Sequence, residues 1–225
     1  ASNTVALAGG YANVSSGGIA SGTTVSNGGA EFVGLGGIAR GTVVFNNGRQ
    51  VVSSGGTASN TILSTHGYGY VLAGGTMSGA VISGSGSGYI AGIAVSTTLA
   101  GGWQVVSSGG VASGTQLQAG GYEAISSGGT VSGAVVSTGG AEYVSSGGTL
   151  SGATLSGGAV IVSPAASSAA RSPSGVQALW SCTTPMRSAA RLQACPIRTR
   201  PFTCVTSTPP PCPTRTPVPH RAPAP

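Results

Sequence analysis

The sequence predicts an all-β fold: a parallel β-helix, or β-solenoid, of about eight nineteen-residue turns over residues 1–163, followed by a disordered Arg/Pro-rich tail over residues 164–225. Three observations predict it. Double glycines return at a fixed period, aliphatic residues fall into columns when the chain is cut at that period, and the composition changes abruptly after residue 163.

The period is nineteen. Gly17, Gly36, Gly55 and Gly74 are spaced by it, as are Gly109, Gly128 and Gly147. A second series runs half a turn out of phase, through Gly9 and Gly28 to Gly101, Gly120 and Gly139. A fixed period of this length is the signature of a solenoid. Between Ala73 and Gly109 the register slips, with two residues missing after Ile90 and one before Gly101, so those turns are expected to be locally irregular.

Two columns are aliphatic in every copy, one running from Val25 and Val44 to Val136 and Leu155, the other from Val14 and Val33 to Val144 and Val162. A third, from Ala20 to Leu150, stays small or apolar. Stacked equivalent side chains are what a coil with one turn per repeat requires. With 41 glycines in the chain, helix is excluded, because each costs about 1 kcal/mol in a helix interior. Strands of four to six residues fit the Val, Ile, Thr and Tyr around the columns, and the flanking glycines supply the positive φ of sharp corners. At about 4.8 Å between strands, eight turns make a rod of roughly 40 Å.

One strand needs care. Phe32, Val51, Tyr70, Tyr89, Val105 and Tyr143 directly precede the second aliphatic column, and two adjacent residues cannot both face inward. The valine column is therefore placed inside and the tyrosine column on a face or at a corner. One residue earlier stand Glu31, Gln50, Gln104, Glu123 and Glu142, which strict alternation sends inward. Buried unpaired carboxylates are costly, so a bend is expected there.

Composition narrows the function. Residues 1–163 hold two arginines against three glutamates, a net charge of −1, so the formal +6 of the whole chain belongs to the tail and marks no nucleic-acid footprint. Lysine and aspartate are absent, and serine, threonine and glycine carry solubility. There is no signal-peptide pattern and no apolar run of eighteen residues to span a bilayer, and the chain reads as an internal fragment. No His/Cys/carboxylate cluster has triad or metal-ligand spacing, and no glycine pair leads into a lysine and a helix as a phosphate loop does. An enzyme, a cofactor and a metal are therefore not expected. His66 and His220 read as solvent residues.

The segments SSGGTASNTIL (53–63), SSGGVASGTQL (107–117), SSGGTVSGAVV (126–136) and SSGGTLSGATL (145–155) resemble the repeats of the AIDA/TibA type of self-associating autotransporter adhesins. The resemblance covers residues 1–163. It implies a right-handed β-helix at the bacterial cell surface, exported through an outer-membrane β-barrel that this chain lacks. It also implies self-association, cell aggregation, biofilm formation and O-linked heptose on serine, with host-cell surfaces and a glycosyltransferase as further partners. The serines of the SSGG corners, Ser16, Ser54, Ser108, Ser127 and Ser146, become the candidate glycan acceptors, while turn capping is their structural reading. The corners at Gly34-Leu35 and Leu72-Ala73 lack the pair.

Tyr11, Tyr68, Trp103 and Tyr122 share one column and are candidate contact aromatics for sugar rings or another rod, although Ala30, Arg49, Ser87, Ala141 and Ala159 interrupt them. Two other functions stay open: a passive stalk, and an ice-binding solenoid reading the column Thr23, Thr42, Thr61, Ala80, Thr97, Thr115, Ala134 and Ala153, which is too broken to match a lattice.

The tail holds seven arginines, all thirteen prolines, and Cys182, Cys195, Cys204 and Cys212, without one acid or lysine. Translation of a GC-rich gene in a shifted frame yields that bias, and the other reading is a genuine Pro-rich spacer.

Overall fold

The structure, a computed structural model, describes residues 1–163 and 166–171. Every regular element among them is a strand, and each turn of the coil contributes three. One strand per turn, from Tyr11–Val14 to Ala159–Val162, builds a nine-stranded parallel sheet in unbroken register. The other two, such as Ile19–Ser21 and Thr24–Val25, stack into a seventeen-stranded sheet folded along a corner. The chain is thus a parallel β-solenoid with a three-sided cross-section.

The double-glycine corners have two separate causes. At Gly55 the backbone takes φ 74°, the left-handed region glycine enters most easily. At Gly56 the Cα lies against the Val33 carbonyl of the turn below, where any side chain would collide. The Gly56 amide donates to Ser53 O at 2.8 Å to close the turn, while the Gly55 amide donates to Gly74 O of the next turn at 2.9 Å.

Both aliphatic columns and the small third column are buried, from 0 to 8% exposed. The register slip leaves the strands untouched. Ser87 pairs with Trp103 and Ile90 with Val106 as in every other turn, and the missing residues come out of the corners, where the Ala91 and Gly92 amides both donate to Val71 O.

The expected bend at the acidic column is absent. Glu31, Gln50, Gln104, Glu123 and Glu142 lie in regular strands and are fully buried, and Thr23, Thr42, Thr61, Thr97 and Thr115 point into the same interior. The cost that argued for a bend is met by hydrogen bonds between turns. Gln50 Nε2 and Thr42 Oγ1 donate to Glu31 Oε2 at 2.8 and 2.7 Å, and Thr61 Oγ1 donates to Gln50 Oε1 at 2.9 Å. Farther along, Gln104 Nε2 and Thr115 Oγ1 donate to Glu123 Oε1 at 2.7 and 3.2 Å. With its threonines turned inward, that column offers no face to an ice lattice.

Between these two polar segments the column holds Gly69 and Gly88. A Cβ on either would meet Leu63 Cδ1 at 2.7 Å or Ile82 Cδ1 at 2.8 Å, so larger neighbours fill the room, with Met77 where adjacent turns carry Ala58 and Ala94. Interior volume is thereby held nearly constant from turn to turn, as close packing demands.

Glu142 differs from the other acids. Ala134 and Ala153 replace the threonines beside it, and neither of its carboxyl oxygens has a hydrogen-bond partner. Burial, and then the neighbouring Glu123 charge, push its pKa up to about 9. Burial pushes Glu123 up to about 7, against the hydrogen bonds from Gln104 and Thr115.

Burying all three acids leaves Arg40 and Arg49 as the charged side chains exposed between residues 1 and 163, so the −1 of the sequence is not the charge that solvent meets. The ladder also runs past the boundary drawn at residue 163, since Ser167–Arg171 pairs in parallel with Thr149–Ser156, with a register shift between Ser151 and Ala153. The rest of the tail, with its expected disorder, Cys182, Cys195, Cys204, Cys212 and His220, lies outside the described residues. Among the described residues, no helix is long and apolar enough to cross a membrane.

Candidate modification and contact surfaces

Ser16, Ser54, Ser108, Ser127 and Ser146 are all exposed at one corner of the coil. In two pairs the serines do different work: the first is half-buried and held to the scaffold, Ser53 Oγ donating to Val33 O at 3.4 Å and Ser107 Oγ to Ile90 O at 3.1 Å. The second has no side-chain hydrogen bond among the described residues. The hydroxyls of Ser54, Ser108 and Ser127 instead overhang the corner glycine of the following turn.

A Cβ at Gly74 would come within 2.7 Å of Ser54 Oγ, one at Gly128 within 2.8 Å of Ser108 Oγ, and one at Gly147 within 2.6 Å of Ser127 Oγ. Glycine there keeps the hydroxyl clear. Ser108, Ser127 and Ser146 occupy three consecutive turns, about 4.8 Å apart along the rod. On the turns without the pair, Leu35 is 75% exposed and Ala73 is exposed.

Tyr11, Tyr68, Trp103 and Tyr122 stand in one outward column of the nine-stranded sheet, Tyr11 and Tyr122 exposed and the other two half-buried. Two residues along the same strands, a second outward column brings Phe32, Tyr70, Tyr89 and Tyr143 beside them. Every tyrosine of the chain is therefore on this face. Tyr70 and Tyr89 stack at 5.0 Å and 8° between planes, Trp103 meets the Tyr89 ring edge-on at 5.2 Å, and Arg49 lies over Phe32 at 5.8 Å. Tyr143 shares a 2.8 Å hydrogen bond with Ser163. Burial, and then adjacent tyrosines, raise the pKa of Tyr89 and Tyr122, so both hydroxyls stay neutral.

Period-two alternation in the sequence carried the signal for the second column. The division of labour between Ser53 and Ser54, and between Ser107 and Ser108, had none, because it depends on corner geometry. His66 is exposed at a corner with φ 61°, and its amide donates to Ser85 Oγ at 3.0 Å. The carboxylates are sealed inside the coil, and no group of three His, Cys, Asp or Glu suited to a metal occurs among the described residues.

A family model described as "adhesin of bacterial autotransporter system, probable stalk" matches residues 32–86. Among solved structures, the chain is similar to a hyper-glycosylated TibA fragment whose modification is catalysed by TibC, at 34% identity and a TM-score of 0.68. That match covers 74% of this chain and 66% of the fragment. No curated protein matches.

Proposed function

We propose, from the premise that the chain belongs to the AIDA/TibA type of autotransporter adhesins, that its rod works at the bacterial surface by lying against copies of itself, and that its corner serines carry sugar. The adhesin-stalk character comes with the family. Aggregation, biofilm formation and glycosylation are the reading added here, with a structural and non-enzymatic role for the rod.

The observation that carries the sugar assignment is the run Ser108, Ser127 and Ser146. Each hydroxyl is exposed, and those of Ser108 and Ser127 project over a glycine that leaves a transferase room. The related TibA fragment is glycosylated by TibC, and a transferase of that type is the expected partner. Intact mass spectrometry after co-expression with a TibC-type transferase should show increments of one sugar, and the triple substitution of Ser108, Ser127 and Ser146 with alanine should remove three of them. An unmodified mass sinks the sugar assignment.

Rod-to-rod adhesion follows from surface charge. With its acids buried, the rod exposes few charges to repel its twin, and weak contacts add along its length. A passive spacer is the competing reading, and the stalk description of the matched family favours it. Rods of four and of eight turns displayed on beads separate the two: adhesion strengthens with turn number, whereas a spacer settles no beads at either length.

A further inference from the structure

We infer that the outer face of the nine-stranded sheet is the docking face for a second copy of this chain, sheet against sheet. The inference rests on the reading that these rods associate, and it names the surface through which they do so.

Sorting is the first argument. The two outward columns of this sheet hold eight aromatic and seven aliphatic side chains against three polar ones, Asn13, Arg49 and Ser87. The outward positions of the other two ladders mix exposed Ile and Val with serine, threonine, Arg40, Ala100 and Gln116, and hold no tyrosine or tryptophan. Aromatic side chains supply contact area for a small loss of side-chain freedom and are enriched at protein interfaces.

Regularity is the second. The three length irregularities of the repeat, after Ile90, before Gly101 and after Ser156, fall in corners, and the nine strands keep one register throughout. The rings of this strip are already fastened to one another by the Tyr70–Tyr89 stack and the Trp103 edge contact, so docking has little left to order.

The same ring geometry selects the occupant. Tyr70 and Tyr89 cover each other's faces, leaving ring edges and hydroxyls outward. A sugar ring packs on an exposed aromatic face, and this stack takes one face from each ring. A second tyrosine-rich strip meets edges and hydroxyls with aliphatic carbon and with hydroxyls that both donate and accept. Charge agrees: the strip holds one arginine and no exposed acid, so two copies meet with almost no like-charge contact.

Area sets the strength. Nine strands at about 4.8 Å and four residues at about 3.3 Å give a strip of roughly 500 Å² per copy. Two copies bury roughly 1,000 Å², the lower bound of specific interfaces, so a single pair is weak and many rods between two cells hold firmly.

The test uses the full chain under reducing conditions, with sedimentation velocity over a concentration series and bead settling. In the first variant, Val51→Lys with Val105→Lys charges the strip. In the control, Val43→Lys with Val135→Lys places the same charges on the other sheet. A third variant, Tyr70→Ser with Tyr89→Ser, removes area without adding charge, and protease resistance reports folding of all three. At least tenfold weaker association of the first and third variants, with the control like the wild type, is the expected result. Equal association of wild type and strip variants overturns the docking face and leaves rod-to-rod adhesion standing. A wild type that stays monomeric and settles no beads overturns both. Settling that free monosaccharide abolishes, from a wild type monomeric in sedimentation, replaces the second copy with a sugar.

Discussion

The rod interior holds two polar segments, Glu31–Gln50 near the N-terminal end and Gln104–Glu123–Glu142 near the C-terminal end, and they are built differently. In the first, acid and amide alternate and two threonine hydroxyls complete the bonding. In the second, acid stacks on acid at the last step, and alanine stands where the threonines were. The comparison teaches that a solenoid accommodates a buried carboxylate in proportion to the donors on its own and adjacent turns. Glu31 has two, Glu123 two, and Glu142 none.

The strongest way to break the pattern is to add an acid with no donor at all. Val106→Asp or Ile125→Asp puts a carboxylate in a fully buried aliphatic column. Such a change costs more than about 4 kcal/mol and opens the surrounding turns, so limited proteolysis should cut between residues 100 and 130. Unchanged protection there would contradict the inward orientation of the column.

Glu142→Gln sharpens the comparison by restoring the alternation, with an amide set to donate to Glu123 Oε2. In the folded chain both acids hold protons that the unfolded chain releases near pH 4.5, so their penalty is absent below that value and grows as pH rises toward about 7 for Glu123 and about 9 for Glu142. Stability should therefore fall from pH 5 to pH 9. The substitution should gain on the order of 2–3 kcal/mol at pH 7 and remove most of the slope. Urea melts across that pH range check both, and a slope unchanged by Glu142→Gln would place the titration elsewhere.

Gln50→Leu does to the first segment what sequence has done to the second, depriving Glu31 of its amide donor and Thr61 of its acceptor. The expected loss is about 2 kcal/mol, read as a lower urea midpoint at pH 7. The smallest effect belongs to Thr115→Val, which keeps the shape and removes one of two donors to Glu123 Oε1. It should cost about 1 kcal/mol, read as a slightly lower urea midpoint at pH 7.

Much of this architecture was legible in the sequence, because a nineteen-residue period aligns equivalent residues without any structural knowledge. Val25 over Val44 and Gly36 over Gly55 give the columns and corners directly. The acids were misjudged because each was weighed against solvent one at a time. Glu31 and Gln50 are also nineteen apart, so the donor was visible to the same arithmetic, but the threonine at a distance of eleven belongs to a different side of the coil and shows only in three dimensions. The serine pairs were found as a group, whereas the difference between Ser53 and Ser54 depends on which hydroxyl turns back to a carbonyl. Residues beyond Arg171 follow no period that could be stacked.

In each of the two sheets the ladder bonds run along the axis of the rod. A load drawn between its two ends therefore meets them in series, and turns peel away one after another while those behind stay folded. Each turn that lets go releases nineteen residues, about 60 Å of extended chain, from a layer about 4.8 Å thick. Under such a load a short stiff rod becomes a long yielding tether, and the segment around Glu142, whose carboxyl oxygens have no partner, is where it yields first.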